Sequence, residues 1–170
     1  LDRTKIAEQL ENEVVLVSGA GGSIGSEICR QIAKFGPKKL ILLGHGENSI
    51  YLIDKELRNL HVRTIEIIPV IADIQDRERI FQVMETYKPD HVFHAAAHKH
   101  VPLMEYNPME AIKNNVYGSK NMAEAAKAAG VKSFVMISTD KAVRPTNVMG
   151  STKRIAEILV TSLNESGKTK

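Results

Sequence analysis

The sequence predicts an α/β domain built on a doubly wound parallel sheet with helices on both faces. Short apolar runs alternate with longer stretches of helical apolar spacing, and this happens five times along the chain. Successive runs are separated by segments long enough for a crossover, which parallel pairing requires. A glycine-rich turn also stands between the first run and the first of these helices.

Each element has its own warrant. Residues 14–17 are an uninterrupted apolar run, as expected of a strand covered on both faces. Ile24, Ile28, Ile32 and Phe35 form one stripe of a helix over 24–35, which Gly36-Pro37 ends. A second strand over 39–43 leads to a helix over 47–60. A third strand over 65–71 closes at Ala72-Asp73, and a helix over 76–87 follows with an acidic first turn. Pro89-Asp90 leads into a fourth strand over 91–94. An Ala-rich helix spans 108–129 and stops at Gly130 before a fifth strand over 133–137. A last helix is expected over 151–163. The charged segment 1–13 reads as a linker or N-terminal extension, 14–165 as the domain and 166–170 as a polar tail.

Composition narrows the function. With 170 residues, 43% of them hydrophobic, the chain can bury one sizeable core, which excludes a disordered protein. A single cysteine excludes a disulfide scaffold and suits a reducing, cytoplasmic setting. No apolar run approaches the roughly 20 residues that span a bilayer. The net charge of +3 is scattered, and aromatics are sparse at 5% with no Trp, so nucleic acid is not an expected partner.

The glycine turn reads Ser18-Gly19-Ala20-Gly21-Gly22-Ser23-Ile24-Gly25. Glycines there permit a tight turn and close approach to a pyrophosphate. The first helical amides, at Ser23, Ile24 and Gly25, are then available to phosphate oxygens. Position in a strand–turn–helix context makes this a Rossmann-like dinucleotide site, although the spacing Gly19-x-x-Gly22-x-x-Gly25 differs from the simplest fingerprint. After the second strand the chain reads Gly44-His45-Gly46-Glu47, with no acid at the strand end. That removes a repulsion against a 2′-phosphate and tilts the choice toward NADP, while Glu47 keeps NAD open. His45 is either a phosphate neighbour or a solvated loop histidine. Asp73, followed by Ile74, either accepts from the adenine amino group or caps a helix. Small residues at Ala95, Ala96 and Ala97 let a cofactor lie against the chain. His91, His94, His98 and His100 lack a metal-binding pattern around them, so no metal is expected. Cys29 reads as packed core, and Met122 as core or pocket wall.

Past the fifth strand stands Ser138-Thr139-Asp140-Lys141, which leads into Asn147-Val148-Met149-Gly150 and Lys153. Substrate chemistry in an open α/β sheet sits at this edge. Adjacent Asp and Lys supply an acid and a base, although the dipeptide alone more often marks a surface ion pair or turn.

With these stretches, and with His98-Lys99-His100-Val101-Pro102-Leu103-Met104-Glu105 and Asn114-Asn115-Val116-Tyr117-Gly118, the chain resembles the extended short-chain dehydrogenase/reductase superfamily. Within it the sequence resembles the CapD-like polysaccharide biosynthesis proteins, the UDP-N-acetylglucosamine 4,6-dehydratases, over about 13–163. The resemblance implies that Gly19, Gly22 and Gly25 hold the nicotinamide dinucleotide, with Asp73 near its adenine. It implies that Lys153 bonds the nicotinamide ribose, that Thr139 contacts the sugar, and that Lys99, His100, Val101, Asn115 and Asn147 line the UDP-N-acetylhexosamine pocket. Asp140 would protonate the departing 6-hydroxyl and Lys141 would remove the C5 proton. Hydride would leave C4 and return to C6, so the cofactor ends unchanged. The superfamily pattern Tyr-x-x-x-Lys is altered here to Met149-x-x-x-Lys153, and a thioether takes no proton. The base at the C4 hydroxyl then lies between Asp140 and Thr139 acting through a water.

A homo-oligomer is expected. Longer relatives continue into a sugar-binding domain and carry an N-terminal membrane region, so these residues are expected to be a dinucleotide-binding part that turns over sugar poorly by itself. Two competing functions are a nucleotide-sugar 4-epimerase and a non-catalytic dinucleotide-binding module.

Overall fold

The computed structural model describes residues 3–60, 64–95 and 108–137. Side chains are described from Ala7 in the first helix and from Tyr117 in the last. In chain order the elements are α1 (Arg3–Leu10), β1 (Val14–Ser18), α2 (Ser23–Ala33), β2 (Lys39–Gly44), α3 (Glu47–Leu60), β3 (Glu66–Ile71), α4 (Arg77–Tyr87), β4 (His91–Ala95), α5 (Pro108–Ala128) and β5 (Ser133–Ile137). The expected helix over 151–163 and the tail lie outside the described residues.

All five strands are parallel, in the order β3-β2-β1-β4-β5. The first strand is therefore central. The chain winds outward from it in one direction through β2 and β3, then returns to its other side with β4 and β5. This is the doubly wound fold, and its reversal point lies between β1 and β4.

Burial explains the apolar runs. One core packs Val15, Val17, Leu40, Leu42 and Phe93 against Ile28 and Ile32 of α2 and Ile50, Ile53 and Leu57 of α3. The opposite core packs Leu16, Ile41, Leu43 and Val92 against α4 and against Met122, Ala125 and Ala126 of α5. Strands β1, β2 and β4 are covered on both faces; β1 and β2 accordingly read as near-continuous hydrophobic segments, while β4 buries His91 and His94 among its apolar residues. The outer strands β3 and β5 mix buried with exposed residues and leave Ile71 and Met136 in solvent. Pro69 is tolerated in β3 because that strand is an edge.

The helix ends are locally encoded. Asp76 precedes α4, and its carboxylate accepts from the Arg79 amide at 3.2 Å. Pro108 opens α5 in the first turn, where a missing N–H costs nothing. Cys29 is fully buried in α2, and burial pushes its thiol far above the ordinary range, so it is inert packing.

The segment 1–13 differs from the reading as a linker. Residues 3–10 form α1, and Leu10 is fully buried in the same core as β1. His91 Nε2 donates to Gln9 O at 3.0 Å, which ties the end of α1 to β4. A charged, short helix with one deeply buried leucine has too weak a periodic signal to stand out in sequence. No helix among the described residues is long and apolar enough to cross a membrane.

Leu10→Ala should lower the unfolding free energy by about 2–4 kcal/mol, read from urea denaturation. A change near zero would mean that α1 is an appendage outside the folding unit.

Candidate functional site

Among the described residues, the carboxyl edge of the sheet brings together the loops after β1, β2 and β3 and the end of β4. Gly19 leaves β1 with φ +67°, a backbone conformation that favours glycine. Its carbonyl accepts from the Gly22 amide at 3.1 Å. A Cβ at Gly19 would stand 2.5 Å from Ala95 O at the end of β4. A Cβ at Gly25 would overlap the Gly19 carbonyl. The turn is therefore pressed between its own helix and the neighbouring strand.

Helix α2 starts at Ser23 with Gly22 as an extended N-cap that provides no side-chain acceptor. The amides of Ser23, Ile24 and Gly25 have no acceptor among the described residues, and the first helical bond runs from Ser26 N to Gly22 O. Gly22 and Ser23 are exposed. A glycine turn followed by helical amides without acceptors among the described residues fits the pyrophosphate of a dinucleotide.

Neighbouring loops close on this turn. Ala20 N donates to Leu43 O at 3.1 Å, and a Cβ at Gly21 would run into the Ser49 side chain of α3. Ser49 Oγ in turn donates to Gly46 O. His45 is exposed beside this contact. Ala72 N donates to Gly44 O, which brings the Asp73–Ile74 turn alongside. Gly19, Gly22, Ser23, Ile24, Gly25, His45, Asp73, Ile74 and Ala95 thus share one edge. Asn115 lies on α5, and its side chain is outside the description. Ala96, Lys99, His100, Val101, Thr139, Asp140, Lys141, Asn147, Met149 and Lys153 also lie outside the described residues.

Asp73 does not cap α4, as one reading of it held; Asp76 does. The Asp73 carboxylate instead accepts from Gln75 N at 2.9 Å, while its carbonyl accepts from Asp76 N at 3.0 Å. It closes a tight turn ahead of the helix, because Ile74 and Gln75 still separate it from the cap position.

Sequence reasoning overlooked a buried chain of polar groups behind the glycine turn. His94 is fully buried at the end of β4. Its Nδ1 is hydrogen-bonded to Ser18 Oγ at 2.5 Å and its Nε2 to Ser119 Oγ of α5 at 3.0 Å. The ring also stacks on Phe134, with centroids 6.2 Å apart. The signal available in sequence was Ser18 and His94, two polar residues ending apolar strands. His91 bonds Ser133 and Gln9 on the opposite face of the sheet.

The site belongs to the dinucleotide-binding class of doubly wound proteins, and the comparisons narrow it further. Residues 15–170 match the family described as polysaccharide biosynthesis protein, and the chain belongs to that family. It is 64% identical over 165 residues to the capsular polysaccharide biosynthesis protein CapD of Staphylococcus aureus, covering 97% of this chain and 28% of that protein. It is 37% identical over 155 residues to a UDP-N-acetylglucosamine 4,6-dehydratase (inverting) of Campylobacter jejuni, covering 88% of this chain and 43% of that protein. The chain therefore spans less than half the length of these relatives. Among solved structures it superposes on a UDP-glucose 4-epimerase of Stenotrophomonas maltophila with bound NAD and formylated UDP-arabinopyranose. The TM-score is 0.66 at 27% identity, covering 91% of this chain and 49% of that one.

The close approach at Gly25 makes a sharp contrast with Gly22. Gly25→Ala should cost about 2 kcal/mol of stability or more, since the backbone must shift. Gly22→Ala meets only ordinary contact and should cost about 1 kcal/mol at most. Equal losses in denaturant titrations would refute the contrast.

His94 also sets a pH dependence. Burial depresses its pKa to about 4, and His91 shifts in the same direction for the same reason. The unfolded chain takes up these protons first, near pH 6.5. Stability is therefore full above about pH 6.5 and is lost as pH falls toward 4, with about 3 kcal/mol attributable to His94. His94→Gln should flatten this part of the stability profile; an unchanged slope would show that His94 does not titrate as described.

Proposed function

We propose that the protein is the dinucleotide-binding and catalytic part of a nucleotide-sugar 4,6-dehydratase that acts on UDP-N-acetylglucosamine for surface polysaccharide synthesis. The reading is carried by one juxtaposition: a phosphate cradle at the reversal point of the sheet, in a chain whose Asp140-Lys141 pair follows β5 and whose Met149 replaces a phenol. The similarity to the Campylobacter dehydratase supports the substrate. The cofactor is NAD(P). The absence of an acid at the end of β2 supports NADP, whereas the solved neighbour holds NAD.

When bound, the nicotinamide supplies a hydride acceptor that later returns the hydride. The chain's own residues do the rest. The amides of Ser23, Ile24 and Gly25 bind the pyrophosphate, and Lys153 orients the nicotinamide ribose. Ala95 and Ala96 leave room for the cofactor. Thr139 holds the sugar near its reacting hydroxyl. Oxidation at C4 acidifies the C5 proton, which Lys141 removes as base. Asp140 donates a proton to the C6 hydroxyl, which leaves as water. Lys99, His100, Val101, Asn115 and Asn147 shape the sugar-nucleotide pocket.

A second reading, 4-epimerisation, is favoured by the epimerase superposition. It has no use for an elimination pair and needs a phenol where Met149 stands. Mass spectrometry of UDP-N-acetylglucosamine incubated with the naturally extended protein separates the two. The sugar should lose one water, and Asp140→Asn should slow that loss by about a hundredfold or more. An isomerised sugar of unchanged mass would indicate epimerisation; an untouched sugar would indicate a binding module.

A further inference from the structure

Behind the adenine-side turn, helix α5 presents a face that the proposed chemistry leaves unexplained. Asn121 is a buried polar residue of α5. Its amide donates to Ile74 O at 2.9 Å and to Gln75 O at 3.3 Å. Its Oδ1 accepts from Arg77 Nη1 at 3.2 Å, and Arg77 stacks over Phe81, 4.6 Å from the ring centre. All the bonding groups of this amide that can act are thus directed at residues 74, 75 and 77. One turn away on the same helix, a Cβ at Gly118 would collide with the Ile74 side chain. Asn121 grips the turn through its backbone while Gly118 admits its side chain.

The gripped turn is the one that carries Asp73. The Gln75 amide bonds only Oδ1 of that carboxylate, at 2.9 Å, which leaves Oδ2 without a hydrogen bond among the described residues. Asp73 is exposed at the carboxyl edge of the sheet. A carboxylate oxygen held in fixed position there recognises an amino group, and hypoxanthine, with a carbonyl in that place, would be rejected.

We propose that Asn121 is a positioning residue for adenine recognition, holding the 73–75 backbone so that Asp73 selects a base with an exocyclic amino group. The inference rests on the dinucleotide reading above. Without the clamp the turn is free to move, and the carboxylate loses its fixed direction while the pyrophosphate cradle stays intact.

The test compares binding of NAD with binding of nicotinamide hypoxanthine dinucleotide by calorimetry. Native protein should prefer NAD by about tenfold. Asn121→Asp keeps the acceptor for Arg77 and loses the donor to Ile74 and Gln75. It should reduce the preference to less than about twofold, through weaker NAD binding with little change for the analogue. General destabilisation would weaken both ligands alike, and that result would overturn the proposal. Gly118→Ala, which pushes on Ile74 from the helix side, should give the same loss of preference and serves if Asn121→Asp does not fold. A preference unchanged in the folded variants, or no preference in native protein, would also overturn it. Failure of native protein to bind either dinucleotide would instead overturn the dinucleotide reading.

Discussion

The carbonyl of Gly19 lies where the backbones of β1, α2 and β4 converge, with room for no side chain at Gly19 or Gly25. Much of the molecule depends on this close approach. It lets α2 begin directly against the end of the central strand, so its first amides lie at the carboxyl edge of the sheet. A methyl group at Gly25 would push the helix outward and carry those amides with it. The constraint is purely steric, which is why it can be met only by the residue without a Cβ.

Polar contacts lock the elements around that turn. Ser18 and His94 lie opposite each other in the β1–β4 register, and their bond joins the two strands between which the sheet reverses. The same ring reaches Ser119, so β1, β4 and α5 share one buried hydrogen-bonded chain. Asn121, two residues further along α5, secures the turn after β3. One helix thus braces both the end of β4 behind the glycine turn and the turn after β3. It also carries Asn115, which the family resemblance assigns to the substrate. Such buried polar chains are stable because every member finds a partner; an unpaired group there would be costly.

The site was legible in proportion to how local its signals are. The glycine turn announced itself because its residue types, its spacing and its flanking strand and helix all lie within one short stretch. The capping acid was less certain, since Asp73 and Asp76 are both plausible helix starters and only the backbone bonds of the turn assign the cap to Asp76. Asn121 carried no signal at all. In sequence it is one polar residue in an Ala-rich helix, and its role exists only because α5 packs over the turn at residues 73–75. His94 was visible as a polar strand end, but histidine has several common uses and spacing alone did not choose among them.

What the sequence by itself determined was the alternation of strands and helices, the strands covered on both faces, and the glycine turn. Those features follow from apolar periodicity and backbone sterics, which act over a few residues. What only the tertiary structure decided was the strand order, the docking of α1 through Leu10, and the partners of His94 and Asn121. Each of these joins residues far apart in the chain, such as Ser18 with His94 and Ile74 with Asn121. Such pairs form because the sheet brings distant strand ends to one edge and leaves their polar groups no water to bond. Burial, and not proximity in sequence, selects the partner.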